Sequence, residues 1–251
     1  MRTKEQLLSA LREQLALEYN CGADAFLQTE AVVTSPANRE GRRRFSNEAF
    51  FFKMVTLGGN AVISADERTH AWLKRFAAGK EGHWLFEHPH LREMDVYLQG
   101  FGKRLNQTHH MFLPLTEALP TRTQCEILPF EREDLRPFYP NTDFPNALAP
   151  SLEAMRPDML AFAAKDGGQI IGVAGASADA PLWWQIGVDV HPAYRKQGLA
   201  AHLVSLLRGE VEKRGCIPYY GTSLSNLASK GTALHCGFRP AWVETETVEV
   251  E

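Results

Sequence analysis

A strand, a turn and a helix are expected in succession between residues 183 and 214, and this segment constrains the fold most. Apolar residues alternate with other residues from Trp184 to Val190, which is the pattern of a strand with one buried face. Leucines then recur at helical spacing, so the pattern predicts a helix from about Gln197 to Arg214. A chain with this order needs a sheet on which the helix can pack.

The turn between this strand and this helix is predicted to bind an anion. Pro192 ends the strand because proline lacks the N–H group that a sheet needs. The helix start then presents unpaired backbone N–H groups and the positive end of its dipole. Gly198 allows a close approach to the backbone, and Arg195 and Lys196 add positive charge. Taken alone, the same residues also fit an ordinary connection with a solvated arginine–lysine pair.

The residues of this turn and those that follow it carry a resemblance to a known family. Arg195-Lys196-Gln197-Gly198-Leu199-Ala200, behind a Val-Asp-Val-His-Pro strand end, resembles the acyl-CoA signature of the GNAT N-acetyltransferase superfamily. Downstream, a predicted strand at 217–222, a helix opened by Asn226 and the pair Gly237-Phe238 continue the likeness. It covers roughly residues 123–250 and is strongest over 184–242.

The resemblance implies a fold and a cosubstrate site. The fold is α/β (α+β), a mixed, twisted sheet flanked by helices. Acetyl-CoA would lie with its pyrophosphate on the turn and its pantetheine arm along the strand end, and Asn226 would bind the arm with help from Ser229. Asn226 is equally well explained as a helix N-cap. The implied cofactor-binding residues are Val188, Val190, Arg195, Lys196, Gln197, Gly198, Leu199, Ala200, Asn226 and Ser229.

The expected chemistry requires a neutral amine. A lysine-like amine is only about one part in 10³ neutral at pH 7, so a general base or a desolvating pocket must help it to attack the thioester. The catalytic candidates are Asp189, Tyr219 and Tyr220, each of which can also be explained as a structural residue. GNAT enzymes often carry a tyrosine seven residues after the asparagine, and this chain has Ala233 there.

Three functions are compatible with these residues. The favoured one is an acetyl-CoA-dependent N-acetyltransferase that acetylates a small-molecule amine by direct attack in a ternary complex. The alternatives are a catalytically idle acyl-CoA-binding sensor and a protein or peptide N-acetyltransferase. The sequence leaves open the acceptor, its regiochemistry, the acid–base residue and the oligomeric state.

The chain is predicted to contain two domains, residues 1–118 and 119–251. The first would be a small α+β domain that helps to shape the acceptor pocket, and Pro120 marks the junction. Its expected elements are helices at 3–20, 66–77 and 90–105, with paired strands at 51–57 and 61–63. The arginines at 39, 42, 43 and 44 are interpreted as a solvated loop, because contact with an acidic substrate or a CoA phosphate has little support.

Composition argues against several protein classes. A net charge of −3 argues against nucleic acid as the main partner. No apolar run approaches the ~18 residues of a membrane span, and the first residues predict an amphipathic helix and not a secretory signal. The four cysteines lack C-x-x-C spacing, which favours reduced thiols in a cytoplasmic protein. The histidines lack metal-binding spacing, so no metal is expected.

Overall fold

The computed structural model describes residues 2–250, and within them the protein has the predicted mixed α/β fold. The helices are α1 (Lys4–Glu18), α2 (His70–Ala77), α3 (His88–Gln99), α4 (Leu199–Lys213) and α5 (Leu227–His235). The strands are β1 (Val32–Thr34), β2 (Phe52–Thr56), β3 (Ala61–Ala65), β4 (Lys103–Leu105), β5 (His109–Leu113), β6 (Glu126–Glu131), β7 (Asp158–Asp166), β8 (Gln169–Ala178), β9 (Trp183–Val190), β10 (Ile217–Ser223) and β11 (Arg239–Glu249).

The chain forms two compact units. We call residues 2–4, 43–45 and 112–240 the C-terminal unit, and residues 5–42, 46–111 and 241–250 the N-terminal unit. Each unit therefore draws on residues from both sides of position 118. The two functional domains proposed from the sequence, 1–118 and 119–251, stay a prediction.

The sheet of the C-terminal unit has its strands in the order β10, β9, β8, β7, β6. Strands β10 and β9 are parallel, and the other neighbours are antiparallel. The parallel pair requires a crossover, and α4 supplies it. The predicted hairpin around residues 165–168 is confirmed as β7 and β8.

Both faces of this sheet are covered. On one face, α4 packs through Leu203 and Leu207 against strand residues such as Ile186. On the other, the segment that follows a 3₁₀ helix at Arg132–Phe138 packs Phe144 and Leu148 against the sheet. The alternation predicted for β9 is confirmed, because Trp184, Ile186, Val188 and Val190 all belong to the α4 face.

Strands β9 and β10 pair over only part of their length. The last paired residues are Ile186 and Tyr220, yet β9 continues to Val190 and β10 continues to Ser223. The two strands therefore separate after Ile186. Their backbone groups beyond this point no longer have each other as hydrogen-bond partners.

The N-terminal unit contains strands β1, β2, β3 and β4 and most of β11. Strands β1, β3 and β2 lie side by side, β11 pairs with β2, and β4 pairs with β11. The predicted pairing of residues 51–57 with 61–63 is confirmed by β2 and β3. Helices α2 and α3 bury Leu73, Met94 and Leu98 in its core.

The helix expected at residues 90–105 is shorter than predicted. Helix α3 ends at Gln99, and residues 103–105 form strand β4. Gly102 takes a positive φ of 71°, which ends the helical path. The side chain of Asp95 then accepts the N–H of Leu105 at 2.6 Å, which holds the turned chain against α3.

Candidate active site

The turn between β9 and α4 leaves the start of the helix open. A short 3₁₀ turn at residues 192–194 follows the strand, and Lys196 and Gly198 then take positive φ values of 63° and 81°. Among the described residues, no side chain caps α4. The first helical hydrogen bond runs from the N–H of His202 to the carbonyl of Gly198, so the N–H groups of the first turn point out of the helix end.

Open space surrounds this helix start. A Cβ atom added at Gly198 would meet no atom within 4 Å, and residues 195–198 are exposed. Arg195 turns back, and its Nε donates to the carbonyl of Val190 at 2.9 Å. The turn therefore combines exposed backbone N–H groups, a helix dipole and the positive charge of Lys196, which together suit an anion.

The backbone of β9 presents hydrogen-bonding groups beside this turn. The N–H of His191 points to β8, since it donates to the carbonyl of Ile171 at 2.8 Å. Because successive residues of a strand point their N–H and C=O groups to opposite sides, those of Val188 and Val190 point away from β8. They face the side where β10 has separated, although the carbonyl of Val190 is already used by Arg195.

Asn226 and Ser229 lie at the start of α5. The side-chain oxygen of Asn226 accepts the N–H of Ser229 at 3.0 Å, so Asn226 is the helix N-cap. The hydroxyl of Ser229 lies 2.9 Å from the hydroxyl of Tyr220 on β10. The alternative interpretation of Asn226 as a cap is therefore realised, and contact with a cosubstrate stays a prediction.

Asp189 holds a loop and not an open pocket. Its carboxylate accepts the backbone N–H of Asn146 at 2.6 Å, the side-chain amide of Asn146 at 2.7 Å and the N–H of Ala147 at 3.0 Å. A carboxylate with three N–H donors is stabilised in its charged form and fixed in orientation. This bonding favours a positioning role over that of the general base.

The two candidate tyrosines point to different surroundings. Tyr219 is fully buried and donates its hydroxyl to the buried carboxylate of Asp179. Burial, and then the charge of Asp179, raise the pKa of Tyr219 well above its ordinary value. Tyr220 belongs to the α4 face and reaches Ser229. Of the two, only Tyr220 has its hydroxyl beside residues predicted to meet the cosubstrate.

A cavity of about 410 Å³ lies in the C-terminal unit beside the separated strands. Its polar lining includes Arg44, Arg156, Asp158 and Gln185. Asp189, Tyr219 and Tyr220 are not among its lining residues. The lining residues are 44–45, 145–150, 154–156, 158, 177, 185 and 187.

Asp158 is the one carboxylate among these lining residues. It is 3% exposed, and the same carboxylate oxygen accepts the hydroxyl of Tyr139 at 2.5 Å and the N–H of Ala149 at 2.7 Å. Burial raises the pKa of Asp158, and these two hydrogen bonds oppose the rise in part. A buried carboxyl with a raised pKa at a cavity wall can exchange a proton with a bound molecule.

The arginine cluster is not simply a solvated loop. Arg39 is exposed, as expected, but Arg43 is 3% exposed and lies with its guanidinium over the ring of Tyr219. Arg44 lines the cavity. The interpretation of this cluster as a loop in solvent is therefore wrong for Arg43, because the segment 43–45 packs into the C-terminal unit. Arg44 is exposed, as expected.

Sequence reasoning missed Arg156 and Asp158 altogether. They lie in Arg156-Pro157-Asp158, directly before the apolar run of β7, and nothing in that local pattern distinguishes them from a polar strand start. For Arg44, the density of arginines at 39–44 was a sequence signal. Neither a metal site nor a membrane span is found in the part of the chain that the structure describes. No group of three or more histidine, cysteine or acidic side chains there could hold a metal ion. None of the helices there combines the length and the hydropathy of a membrane-crossing segment.

The chain was compared with protein-family models and with curated proteins. The family model of the acetyltransferase (GNAT) family matches residues 123–238. A search of curated proteins finds no sequence that matches the chain.

Solved structures with a similar fold include three acetyltransferases or acetyltransferase-like proteins. A GNAT-family acetyltransferase from Novosphingobium aromaticivorans is 19% identical, with a TM-score of 0.46 over 58% of this chain and 66% of its own. A GCN5-related N-acetyltransferase-like protein from Streptococcus suis is 18% identical, with a TM-score of 0.49 over 80% and 82%. An acetyltransferase from Salmonella typhimurium, solved with its cofactor acetyl-CoA, is 20% identical, with a TM-score of 0.31 over 37% and 65%. The chain spans less than two thirds of the first and third of these proteins.

Proposed function

We propose that the protein transfers the acetyl group of acetyl-CoA to the nitrogen of a small-molecule amine, since residues 123–238 match the model of the acetyltransferase (GNAT) family. One observation carries the proposal. The open start of α4, an anion site, lies at the end of β9, at the point where β9 and β10 separate. A cosubstrate with a diphosphate at one end and an amide-rich arm at the other needs this combination.

The turn at residues 195–200 would bind the pyrophosphate. Backbone N–H groups of Gly198, Leu199 and Ala200 and the dipole of α4 favour negative charge, and the side chains of Lys196 and Gln197 lie exposed beside them. Arg195 contributes to the shape of the turn, because its Nε is bound to the carbonyl of Val190.

The gap between the strands would hold the pantetheine arm and the thioester. Backbone groups of Val188 and Val190 face this gap and can pair with the amides of the arm in place of the missing strand. A backbone N–H here can also polarise the thioester carbonyl. Asn226 and Ser229, at the start of α5, would contact the arm from the side of β10.

The cavity would hold the acceptor amine. Its lining includes Gly187, which directly follows the last paired residue of β9, so the cavity reaches the proposed thioester position. A volume of about 410 Å³ lies within the range of small-molecule sites. A cavity of this size can hold a small molecule as acceptor.

Asp158 replaces Asp189 as the proposed general base. The amine nitrogen forms a bond to the thioester carbon, and its proton passes to the Asp158 carboxylate. The carbon–sulfur bond then breaks, and the thiolate takes a proton from water or from the hydroxyl of Tyr220. Ala233 is buried in the core and has no proton to give. Asp189 acts indirectly, through the loop that it holds.

Transfer would be direct, without an acetylated enzyme. A cysteine reacts as its thiolate, and burial disfavours this form in three of the four cysteines: it raises the pKa values of Cys216 and Cys236 and raises that of Cys21 to about 11. Cys236 is fully buried and donates to the carbonyl of Ala201 at 3.2 Å. These thiols are protonated at neutral pH and poor nucleophiles.

The test measures acetyl-CoA binding by calorimetry. Gly198→Asp should weaken binding about 10-fold or more, because like charges ~4 Å apart repel by roughly 1–4 kcal/mol between bulk water and a protein surface. Gly198→Asn, which keeps the shape and tolerates positive φ, should weaken it less. Gly215→Asp is the control, since Gly215 also has a positive φ and open space but lies at the other end of α4.

Equal affinity of the wild type and Gly198→Asp, with both folded, would contradict the cosubstrate site. Release of free CoA with a panel of small amines then tests turnover. If acetyl-CoA binds but no amine gives CoA release, the protein is the idle acyl-CoA-binding module and not an enzyme.

A further inference from the structure

The cavity beside the separated strands has a charge pattern that selects its occupant. Arg44 and Arg156 line it as cations, and Asp158 lines it as an anion. A simple amine would need only the carboxylate. The two guanidinium groups indicate a second, negatively charged group on the same molecule.

Arg156 is held in place by the buried Asp179 and the half-buried Gln185. One terminal nitrogen of its guanidinium donates to the carboxylate of Asp179 at 3.2 Å and to the side-chain oxygen of Gln185 at 2.9 Å. The Asp179 carboxylate has no exposed surface, and Ser177 and Tyr219 also donate to it. Arg156 thus reaches the cavity from a preorganised base, and its other N–H groups are left for an occupant.

Phe45 adds a second constraint on Arg156. The guanidinium lies 4.8 Å from the centre of the Phe45 ring. Phe45 is 40% exposed and lines the cavity. A guanidinium held between an aromatic face and a buried carboxylate loses little freedom when it binds an anion. Besides forming an ion pair with Asp179, the guanidinium of Arg156 is therefore oriented to bind an anion.

Arg44 supplies a charge that the protein itself does not neutralise. Its backbone N–H donates to the carbonyl of Asp179 at 2.9 Å, so the residue is held by its main chain. Within residues 2–250 its guanidinium has no hydrogen-bond or ion-pair partner. The side chain of Arg44 is exposed to solvent at the cavity wall. An exposed cation that no group of the described chain pairs with is available to an anionic ligand.

We propose that the acceptor is a small amine that also carries an anionic oxygen group, a carboxylate or a phosphate. This inference rests on the proposed acetyl transfer and names the class of its acceptor. The nitrogen lies at Asp158, and the anionic group lies between the guanidinium groups of Arg44 and Arg156. The positive charge of the arginines also disfavours the ammonium form, which helps the nitrogen to lose its proton.

The test compares matched acceptors that differ only in the anionic group. Suitable pairs are phenylalanine with phenethylamine, tryptophan with tryptamine, histidine with histamine, lysine with cadaverine, and phosphoethanolamine with ethanolamine. For at least one pair, kcat/KM should favour the anionic member on the order of 10- to 100-fold, as expected for a charge-assisted hydrogen bond. The amino acid and phosphate pairs distinguish the two kinds of anion.

Arg44→Ala tests whether the guanidinium of Arg44 causes the preference for anionic acceptors. It should remove most of this preference by lowering kcat/KM for the anionic member alone, while the affinity for acetyl-CoA stays unchanged. The fold should survive because the main chain of residue 44 carries the contact with Asp179. Arg39→Ala, an exposed arginine outside the cavity, is the matched control and should change neither member.

The outcomes separate this inference from the proposed function. Equal kcat/KM for both members of every pair, or an equal loss for both members in Arg44→Ala, overturns the inference and leaves acetyl transfer intact. If no pair is acetylated, calorimetry measures whether the members of the same pairs bind to the protein. Binding of an anionic member that depends on Arg44 supports the inference while acetyl transfer fails, and no binding of any member overturns the inference.

Discussion

A methyl group added at Gly187 tests how the loop at residues 141–150 shapes the cavity. The Cβ of Gly187→Ala would lie 1.8 Å from the carbonyl oxygen of Asn146, whereas real Cβ contacts essentially never fall below 3.0 Å. The loop must therefore retreat by at least 1.2 Å, the difference of these two distances. The three atoms nearest to the added Cβ are backbone atoms of Asn146 and Ala147, so no flexible side chain can absorb the movement.

The cost follows from the bonds that hold this loop. If the retreat lies along the 2.6 Å bond from the N–H of Asn146 to Asp189, that bond lengthens to about 3.8 Å and is lost. Overpacking costs typically ~1–3 kcal/mol, and a hydrogen bond to a charged group contributes ~1.5–3 kcal/mol. We expect a loss of about 2–4 kcal/mol, which lowers Tm by roughly 5–15 °C in a chain of this size.

Thermal unfolding and acceptor kinetics measure the two effects. Gly187→Ala should lower Tm and raise the KM for the acceptor, because the loop also lines the cavity. Its affinity for acetyl-CoA should change less. Gly209→Ala is the matched control, because Gly209 lies inside α4 with no atom near the added Cβ and should gain about 0.5–1 kcal/mol. If Gly187→Ala melts within about 2 °C of the wild type with an unchanged acceptor KM, the proposed role of the loop is refuted.

Further predictions concern single groups of the site. Asp158→Asn should lower kcat about 10²- to 10⁴-fold. The raised pKa of Asp158 should place the acid limb of the wild-type pH–rate profile above the ordinary range of aspartate, and this limb should disappear in the variant. Because the pKa of Asp158 is raised in the folded state, burial of the carboxyl makes the fold less stable as pH rises through that folded-state value. Asp158→Asn should therefore be more stable than the wild type near neutral pH but not in acid. Denaturant unfolding at the two pH values measures this difference. Tyr220→Phe should lower the rate by roughly 10²-fold if this hydroxyl protonates the thiolate. Tyr219→Phe should instead lower the free energy of unfolding by about 1–3 kcal/mol, because Asp179 loses a hydrogen-bond donor. A Tyr219→Phe variant that is stable but slow would reverse these roles. Cys236→Ser should retain most activity, and an acetylated cysteine trapped without acceptor would contradict direct transfer.

The sequence predicted those parts of the site that one short segment forms by itself. The apolar alternation of β9, the turn at Gly198 and the leucine pattern of α4 all act within about thirty residues, so local physical rules were enough. Asn226 shows the limit of this approach. Its position before a helix was readable, but a cap and a ligand contact demand the same residue at the same place.

The charged side chains of the proposed acceptor side could not be predicted, because they come from residues that are distant in the sequence. Arg44, Arg156 and Gln185 meet only because the main chain of residue 44 bonds to Asp179 and the side chain of Asp179 bonds to Arg156. No periodicity or motif in the sequence predicts that these residues lie close together. The error at α3 has a local cause, since an apolar pattern ran past Gly102, whose positive φ ends the helix.

The two faces of β9 explain why the proposed cosubstrate and acceptor sites adjoin without overlapping. Ile186 and Val188 belong to the face that α4 covers, and Gly187 and Asp189 belong to the face that the 141–150 loop covers. A molecule on one face is normally separated from the other by the hydrogen-bonded sheet. The parallel pairing with β10 stops after Ile186, so the sheet has an opening at this point. A thioester on the backbone of Val188 and an amine in the cavity at Gly187 can meet through it, and Gly187 allows the loop to come close enough to enclose them. The reaction is therefore proposed to take place where strand pairing ends, with Asp158 as the general base and with water or Tyr220 as the proton donor to the thiolate. The absence of a tyrosine at position 233 is compatible with turnover on this account.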